Sequence, residues 1–232
     1  MRRVVLPPLV LLLVATMVLS ACGRALAEPP EGSTPVTIDT PDGEQLDAIE
    51  MGSGPDVAIM SHGDTGTKEG FYRLVEPLAA AGWRVIDYDA RGVGNSTGGP
   101  EDDRVTDLRA VVDYARDTGA ESIVLVGASL GASLSIAMAG ELDATALVSL
   151  SAPALVFNAS DAAADLRDTI PVMIAAAEGN EPYVSDARSL AATLGIDPVI
   201  VSGDGHGTGM FGDNPELITQ IVTFLDQARD EA

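Results

Sequence analysis

Cysteine, lysine and aromatic residues are all scarce in this sequence of 232 residues. Cys22 is the sole cysteine, so no disulfide can form within the chain. Aromatic residues make up only 4% of the chain, and a core must therefore be built from Ala, Val, Leu and Ile. With Lys68 as the one lysine, 13 basic residues stand against 35 acidic ones, a formal net charge of −22. Such a surface repels phosphate backbones, which argues against nucleic-acid partners.

The N-terminus is typical of an export signal. Arg2 and Arg3 precede an apolar run over residues 4–19, which is shorter than the roughly 20 residues that a membrane span needs. The following LSAC, ending at Cys22, resembles the bacterial lipobox, and that resemblance implies lipidation of the Cys22 thiol. We therefore predict a lipoprotein signal peptide at 1–21, a flexible tether at 22–34 and one globular domain at 35–232, held by a lipid on the extracytoplasmic face of the cell membrane. An ordinary signal peptide with a chance cysteine is the alternative.

Strand-like and helix-like segments alternate through the predicted domain. Two short strands at 36–38 and 46–49 flank Pro41-Asp42-Gly43, which predicts a hairpin. Further apolar strands are predicted at 57–60, 85–86, 123–126, 146–148, 171–177 and 198–201, separated by helical patterns. The sequence therefore predicts an α/β fold with a mostly parallel sheet covered by helices on both faces.

The segment GASLG at 127–131 lies between an apolar strand and a helix rich in small residues. This is the setting in which G-x-S-x-G forms a nucleophile elbow, with Ser129 lifted above the sheet. The second candidate catalytic residue is His206, in the polar, glycine-rich loop that follows the last predicted strand. Because the chain has only two histidines and such a loop gives this one little core to pack into, we predict that His206 is the general base for Ser129.

Two more segments, together with the Ser129 and His206 segments, form an ordered set of short motifs along the chain. SHGD at 61–64 follows a strand, and DYDARGVGNS at 87–96 follows the next one. In the order HG, D-x-R-G-x-G-x-S, G-x-S-x-G and histidine, these segments resemble the α/β-hydrolase superfamily from residue 35 to the C-terminus. The resemblance implies the three-layer α/β-hydrolase fold, with a minimal lid because the segment between the strands ending near 150 and starting at 171 is short.

The same resemblance implies an oxyanion hole. The backbone N–H of Leu130 would supply one donor, and that of Asp64 or Gly63 the other. Each donor is worth roughly 3–4 kcal/mol of transition-state stabilisation. A carboxylate at Asp64 must point away from the site, and His62 is interpreted as structural.

The acid of the triad is ambiguous. The stretch EGNEPYV at 178–184 resembles the family's G-x-x-D-x-x-V, and the register without insertion puts Asn180 at the acid position. If one extra residue is allowed before the acid position, Glu181 occupies it, and residues 181–184 then match the family's D-P-x-V with Glu in place of Asp. We rank Glu181 first, Glu178 second and Asn180, as an amide that orients the histidine, third.

These residues favour a serine hydrolase that cleaves small carboxylic esters through an acyl-enzyme. A peptidase or a thioesterase would use the same constellation, and a non-catalytic lipid-anchored binding protein with the hydrolase fold is the rival from another class. No cofactor motif and no metal-ligand cluster is found in the sequence.

Overall fold

One eight-stranded sheet runs through the protein. The computed structural model describes residues 27–99 and 103–231. The strands are β1 (Thr34–Asp39), β2 (Gln45–Met51), β3 (Asp56–Ser61), β4 (Arg84–Tyr88), β5 (Ser122–Ala128), β6 (Ala146–Leu150), β7 (Val172–Ala177) and β8 (Val199–Val201). They lie side by side in the order β1-β2-β4-β3-β5-β6-β7-β8. β2 pairs antiparallel with β1 and with β4, and the other neighbouring pairs are parallel. This confirms the predicted sheet and its N-terminal hairpin.

Helices cover both faces of the sheet. They are α1 (Tyr72–Ala80), α2 (Arg104–Asp117), α3 (Leu130–Met138), α4 (Ala159–Leu166), α5 (Tyr183–Leu194), α6 (Met210–Asp213) and α7 (Glu216–Glu231). The core cluster on one face takes its helical residues from α2, α3, α4 and α5, and the cluster on the other face takes them from α1, α6 and α7. Central strands are apolar on both faces for this reason, which explains their continuous aliphatic runs.

The carboxyl ends of the parallel strands meet at one edge of the sheet. β5 ends directly before Ser129, β3 directly before His62, and the loops after β7 and β8 carry Asn180 and His206. Residues 151–171, between β6 and β7, hold a 3₁₀ turn at Val156–Asn158 and helix α4, and α4 packs against α3 and α5. The short lid is thus part of a helical layer.

The predicted signal peptide and Cys22 lie outside the described residues. Of the predicted tether, residues 27–34 are described. Pro30 is buried and accepts hydrogen bonds from the backbone N–H and the hydroxyl of Ser33 at 3.0 and 2.7 Å. β1 begins at Thr34, one residue before the predicted start of the domain. No helix in the described part of the chain is long and apolar enough to cross a membrane.

Candidate active site

Ser129 occupies a strained turn between β5 and α3. Its backbone has φ 53° and ψ −120°, and its N–H donates to the carbonyl of Leu150 at 2.8 Å. Both flanking glycines are required by close backbone contacts: a Cβ at Gly131 would lie 2.1 Å from the Ser61 carbonyl oxygen, and one at Gly127 would lie 2.4 Å from the Gly131 carbonyl oxygen. A non-glycine residue at positive φ costs about 1–3 kcal/mol, so the surrounding fold must hold this conformation.

The serine hydroxyl contacts His206, and His206 contacts an amide. Nε2 of His206 lies 2.8 Å from Oγ of Ser129, and Nδ1 lies 2.8 Å from Oδ1 of Asn180. Because an amide oxygen can only accept, Nδ1 carries the proton and Nε2 is free to accept from the Ser129 hydroxyl. Burial lowers the pKa of His206 below its ordinary value, which keeps the imidazole neutral. The three side chains form a Ser-His-Asn relay.

This arrangement corrects the ranking of the third residue. The carboxylate of Glu181, ranked first, accepts from the Ser185 hydroxyl at 2.8 and 3.0 Å on the exposed side of α5. Glu178, ranked second, is exposed, and its N–H continues the sheet by donating to Val201. Asn180 reaches His206 because a tight turn follows β7: its N–H donates to Ala177, and its carbonyl accepts from Val184. The chain needs no insertion there, and Glu181 points away.

Two contacts that the sequence did not indicate hold the His206 loop. The hydroxyl of Ser151, a buried residue directly after β6, accepts the N–H of Gly207 at 3.0 Å. The ring of Tyr183, the first residue of α5, lies 4.1 Å from the imidazole of His206, centroid to centroid. A serine after a strand and a tyrosine at a helix start are common features, so neither carried a signal before the loops were placed in space.

The predicted oxyanion-hole segment lies against the nucleophile. A Cβ at Gly63 would lie 3.0 Å from Cβ of Ser129, so the backbone of the 62–67 loop passes directly beside it. Leu130 is the first residue of α3, where helix N–H groups have no partner within the helix. The side chain of Asp64 is 76% exposed and lies 4.0 Å from Arg104, turned to solvent. Gly63 and Asp64 thus line the same cavity as Ser129, and Leu130 follows Ser129 at the start of α3.

His62 joins the loop of residues 62–67 (the oxyanion loop) to the loop after β4. Its Nδ1–H donates to the Gly63 carbonyl at 2.6 Å, and its Nε2 accepts the Ala90 N–H at 2.9 Å. Burial, the largest cause, lowers the pKa of His62 to about 4, so the ring is neutral in both roles. His62 does not contact Ser129 and is a structural clamp.

The loop of residues 87–96 is ordered by buried ion pairs. Asp89 accepts from Nζ of Lys68 at 2.6 Å, and Lys68 also binds Asp47 at 2.7 Å. Nε of Arg91 binds the fully buried Asp107 at 2.8 Å. None of these side chains belongs to the relay, so this motif orders a loop beside the site.

Two adjoining cavities open beside Ser129. A cavity of about 340 Å³ is lined by Ser129, His206 and Tyr183 together with the oxyanion loop, and a neighbouring cavity of about 470 Å³ extends along that loop to Glu69. The charged side chains that line them, Asp64 and Glu69, are acidic. Within residues 27–99 and 103–231, no group of three His, Cys, Asp or Glu side chains could hold a metal ion.

Comparisons with known proteins agree on the fold. The esterase Pf2001 of Pyrococcus furiosus superposes with a TM-score of 0.72 at 18% identity, covering 84% of this chain and 92% of that one. A lidless α/β serine hydrolase from Xanthomonas campestris has a TM-score of 0.63 at 24% identity, covering 85% and 95%. The esterase domain of a Rhodothermus marinus protein has a TM-score of 0.68 at 17% identity, covering 85% and 98%.

A curated relative is matched over a shorter stretch. The lysophosphatidylserine lipase ABHD12 of Gallus gallus is 34% identical over 85 residues, which is 35% of this chain and 22% of that protein. The chain thus spans about a fifth of the length of the curated relatives it matches.

The family profile of the alpha/beta hydrolase fold matches residues 58–178, slightly more than half of the chain. This segment begins inside β3, ends one residue after β7 and includes the Ser129 elbow. The chain belongs to the α/β-hydrolase fold family.

Proposed function

We propose that this protein is a serine hydrolase that cleaves small carboxylic esters through an acyl-enzyme. The observation that carries the proposal is the 2.8 Å contact between Oγ of Ser129, in its strained elbow, and Nε2 of a neutral His206. A serine alone is a weak nucleophile, and an adjacent base with a free Nε2 lone pair is the arrangement that activates it.

The contacts at Ser129 and His206 support the following reaction. Oγ of Ser129 attacks the acyl carbon while its proton passes to Nε2 of His206. The N–H groups of Leu130 and of Gly63 or Asp64 would receive the negative oxygen, and Asn180 keeps the Nδ1 proton of His206 in place. His206 gives the proton taken from Ser129 to the leaving alcohol as the ester C–O bond breaks, which leaves the acyl-enzyme. Water then attacks the acyl carbon and gives a proton to His206, and this proton returns to Oγ of Ser129 as the acyl bond to Ser129 breaks and the carboxylic acid leaves.

The size and charge of the cavities support small, uncharged esters. The space of about 340 Å³ next to Ser129 is at the lower end of small-molecule sites. Among the described residues, no lysine or arginine lines either cavity: Lys68 is buried between Asp47 and Asp89, and Arg104 faces Asp64. The name of the lysophosphatidylserine lipase, the relative matched over a short stretch, implies an anionic phosphoserine headgroup. The acidic side chains of Asp64 and Glu69 would repel such a headgroup in these cavities. A peptidase or thioesterase would use the same relay.

A fluorophosphonate probe tests the proposal, because it reacts covalently with an activated serine. We expect labelling of the folded full-length protein, loss of labelling in Ser129→Ala, and a decrease of at least about 10²-fold in its rate in His206→Ala. Ser189→Ala, an exposed serine on α5, is the matched control and should label normally. A folded wild type that takes up no label at Ser129 would end the enzymatic proposal in favour of a non-catalytic binding protein.

A further inference from the structure

The relay of this site contains no negative charge. His206 is held by the neutral amide of Asn180. The nearby carboxylates are engaged elsewhere or exposed: Glu181 binds Ser185, and Asp186 accepts the N–H of Ala154 at 3.2 Å. Glu178 and Asp204 are exposed, and no carboxylate contacts His206 in the part of the chain that the structure describes.

An amide and a carboxylate at this position have different effects on His206. Either one can accept the Nδ1–H bond and fix the tautomer and the ring orientation, which the 2.8 Å contact achieves here. Only a carboxylate also stabilises the imidazolium that forms when His206 takes the Ser129 proton. Burial of the ring disfavours that cation further. His206 is therefore well placed but weakly basic, and its protonated form is costly.

Substrates differ in how strongly their hydrolysis depends on the protonated form of His206. When an alkyl ester breaks down, the leaving alkoxide is about as basic as hydroxide (water has a pKa of ~15.7), so it depends on a proton from the imidazolium. A phenol or a thiol has a pKa of roughly 10 or 8.5, and its anion departs without that proton. With such leaving groups, attack by Ser129 limits the rate, and in its early transition state the proton has moved only part of the way to His206, so the ring carries less charge there. The full imidazolium forms after this transition state.

We infer that Asn180 makes the leaving group the main determinant of specificity, so that the site acts on esters of phenols or enols and on thioesters and discriminates against alkyl esters and amides. This rests on the proposed function and narrows its substrate class. In acylation the Ser129 Oγ–acyl bond forms and the bond from the acyl carbon to the leaving oxygen or sulfur breaks, with its electron pair leaving on that atom as the anion. The Ser129 proton stays on His206 until solvent takes it, and deacylation by water proceeds as above.

The test compares the full-length wild type with Asn180→Asp on ring-substituted phenyl acetates, S-ethyl thioacetate and ethyl acetate. In the wild type, kcat/KM should fall by at least about 10³-fold from phenyl to ethyl acetate. Asn180→Asp should raise kcat/KM for ethyl acetate by about 10²-fold or more and for phenyl acetate by less than about tenfold. The lower apparent pKa of its pH–rate profile should rise, a change that a purely structural role would not produce.

Asn158→Asp makes the same amide-to-carboxylate change at an exposed position and should leave every rate and the pH profile unchanged. The inference is overturned if Asn180→Asp changes all substrates by one common factor. It is also overturned if the wild type hydrolyses ethyl acetate within about tenfold of phenyl acetate, a measurement that does not depend on the variant folding. Failure of the proposed function itself is a separate result, because it shows as a wild type without fluorophosphonate labelling.

Discussion

At the level of single residues, the structure separates the two histidines by the groups that their ring nitrogens meet. His206 places Nε2 on the Ser129 hydroxyl, whereas both nitrogens of His62 are used by backbone groups of two loops. Sequence order and loop composition were sufficient to distinguish them, because a histidine upstream of the elbow does not match the family order. The third member of the relay was not predictable in this way, since a shift of one residue separates Asn180 from Glu181.

The His62 clamp predicts a loss of stability on acidification. The pKa of His62 is about 4 in the folded protein, against 6.5 when it is unperturbed. Between these values the unfolded chain binds one more proton there than the folded one, so the free energy of unfolding falls as pH decreases from 6.5 to 4. The full contribution is about 3 kcal/mol, at 1.36 kcal/mol per unit of pKa. Melting temperatures of wild type and His62→Gln between pH 4 and pH 8 check this.

We expect the gap in melting temperature between wild type and His62→Gln to be largest above pH 6.5 and to narrow as pH falls. The comparison with the variant is needed because the buried Asp87, whose pKa is raised by desolvation, acts in the opposite direction in the same range. Ser149→Ala removes no titratable group and should show a constant gap. An equally constant gap for His62→Gln would contradict the assignment.

At the level of elements, β6 and the turn after it connect the nucleophile to the base. The carbonyl of Leu150, its last residue, accepts the N–H of Ser129, and Ser151 directly after it accepts the N–H of Gly207 in the His206 loop. Ser149, two residues earlier, is equally buried, but its hydroxyl has no hydrogen-bond partner. Ser151, directly after the strand, therefore positions the site, whereas Ser149 within the strand does not.

Replacing the two serines separately should give opposite results. Ser151→Ala leaves the buried N–H of Gly207 without its acceptor and should lower the free energy of unfolding by about 1–3 kcal/mol. It should also lower kcat/KM, because His206 lies next to Gly207. Ser149→Ala removes an unpartnered buried hydroxyl and should be neutral or stabilising. Urea denaturation and ester hydrolysis measure both effects, and equal losses in the two variants would refute the role of Ser151.

Most elements were predictable because their strands are buried on both faces. The aliphatic runs of β3, β5 and β7 made their positions clear. The extent of β4 was underestimated, since the polar Arg84 and Asp87 lie inside a strand that the sheet buries completely. The 3₁₀ turn at Gly207–Gly209 and helix α6 were missed in a glycine-rich loop, because tertiary contacts such as the one to Ser151 order this segment.

At the scale of the whole molecule, the net charge of −22 and the N-terminal segment are the basis for a proposal about where the protein acts. We propose that Cys22 is lipidated and that the chain is exported and held at the extracytoplasmic face of the membrane. Two acyl chains are sufficient for stable anchoring. The acidic domain is repelled by anionic headgroups, so the lipid rather than the domain surface would hold it there.

Labelled palmitate fed to expressing cells tests the anchor. We expect label on the wild-type protein and its recovery in the membrane fraction. Cys22→Ser should take up no label and should no longer be retained by the membrane, while Ser20→Ala, in the same segment, leaves the cysteine intact and serves as the control. Label retained by Cys22→Ser would contradict the proposal.

The sequence by itself determined the sheet, the hairpin, the elbow at Ser129 and the histidine that would serve it. Each of these depends on local patterns: apolar runs, turn residues and the order of short motifs. Only the tertiary structure decided that Asn180 rather than Glu181 meets His206, because that choice depends on how the turns after β7 and β8 are paired. Ser151 and Tyr183 became part of the site for the same reason, since their contacts join segments that lie far apart along the chain.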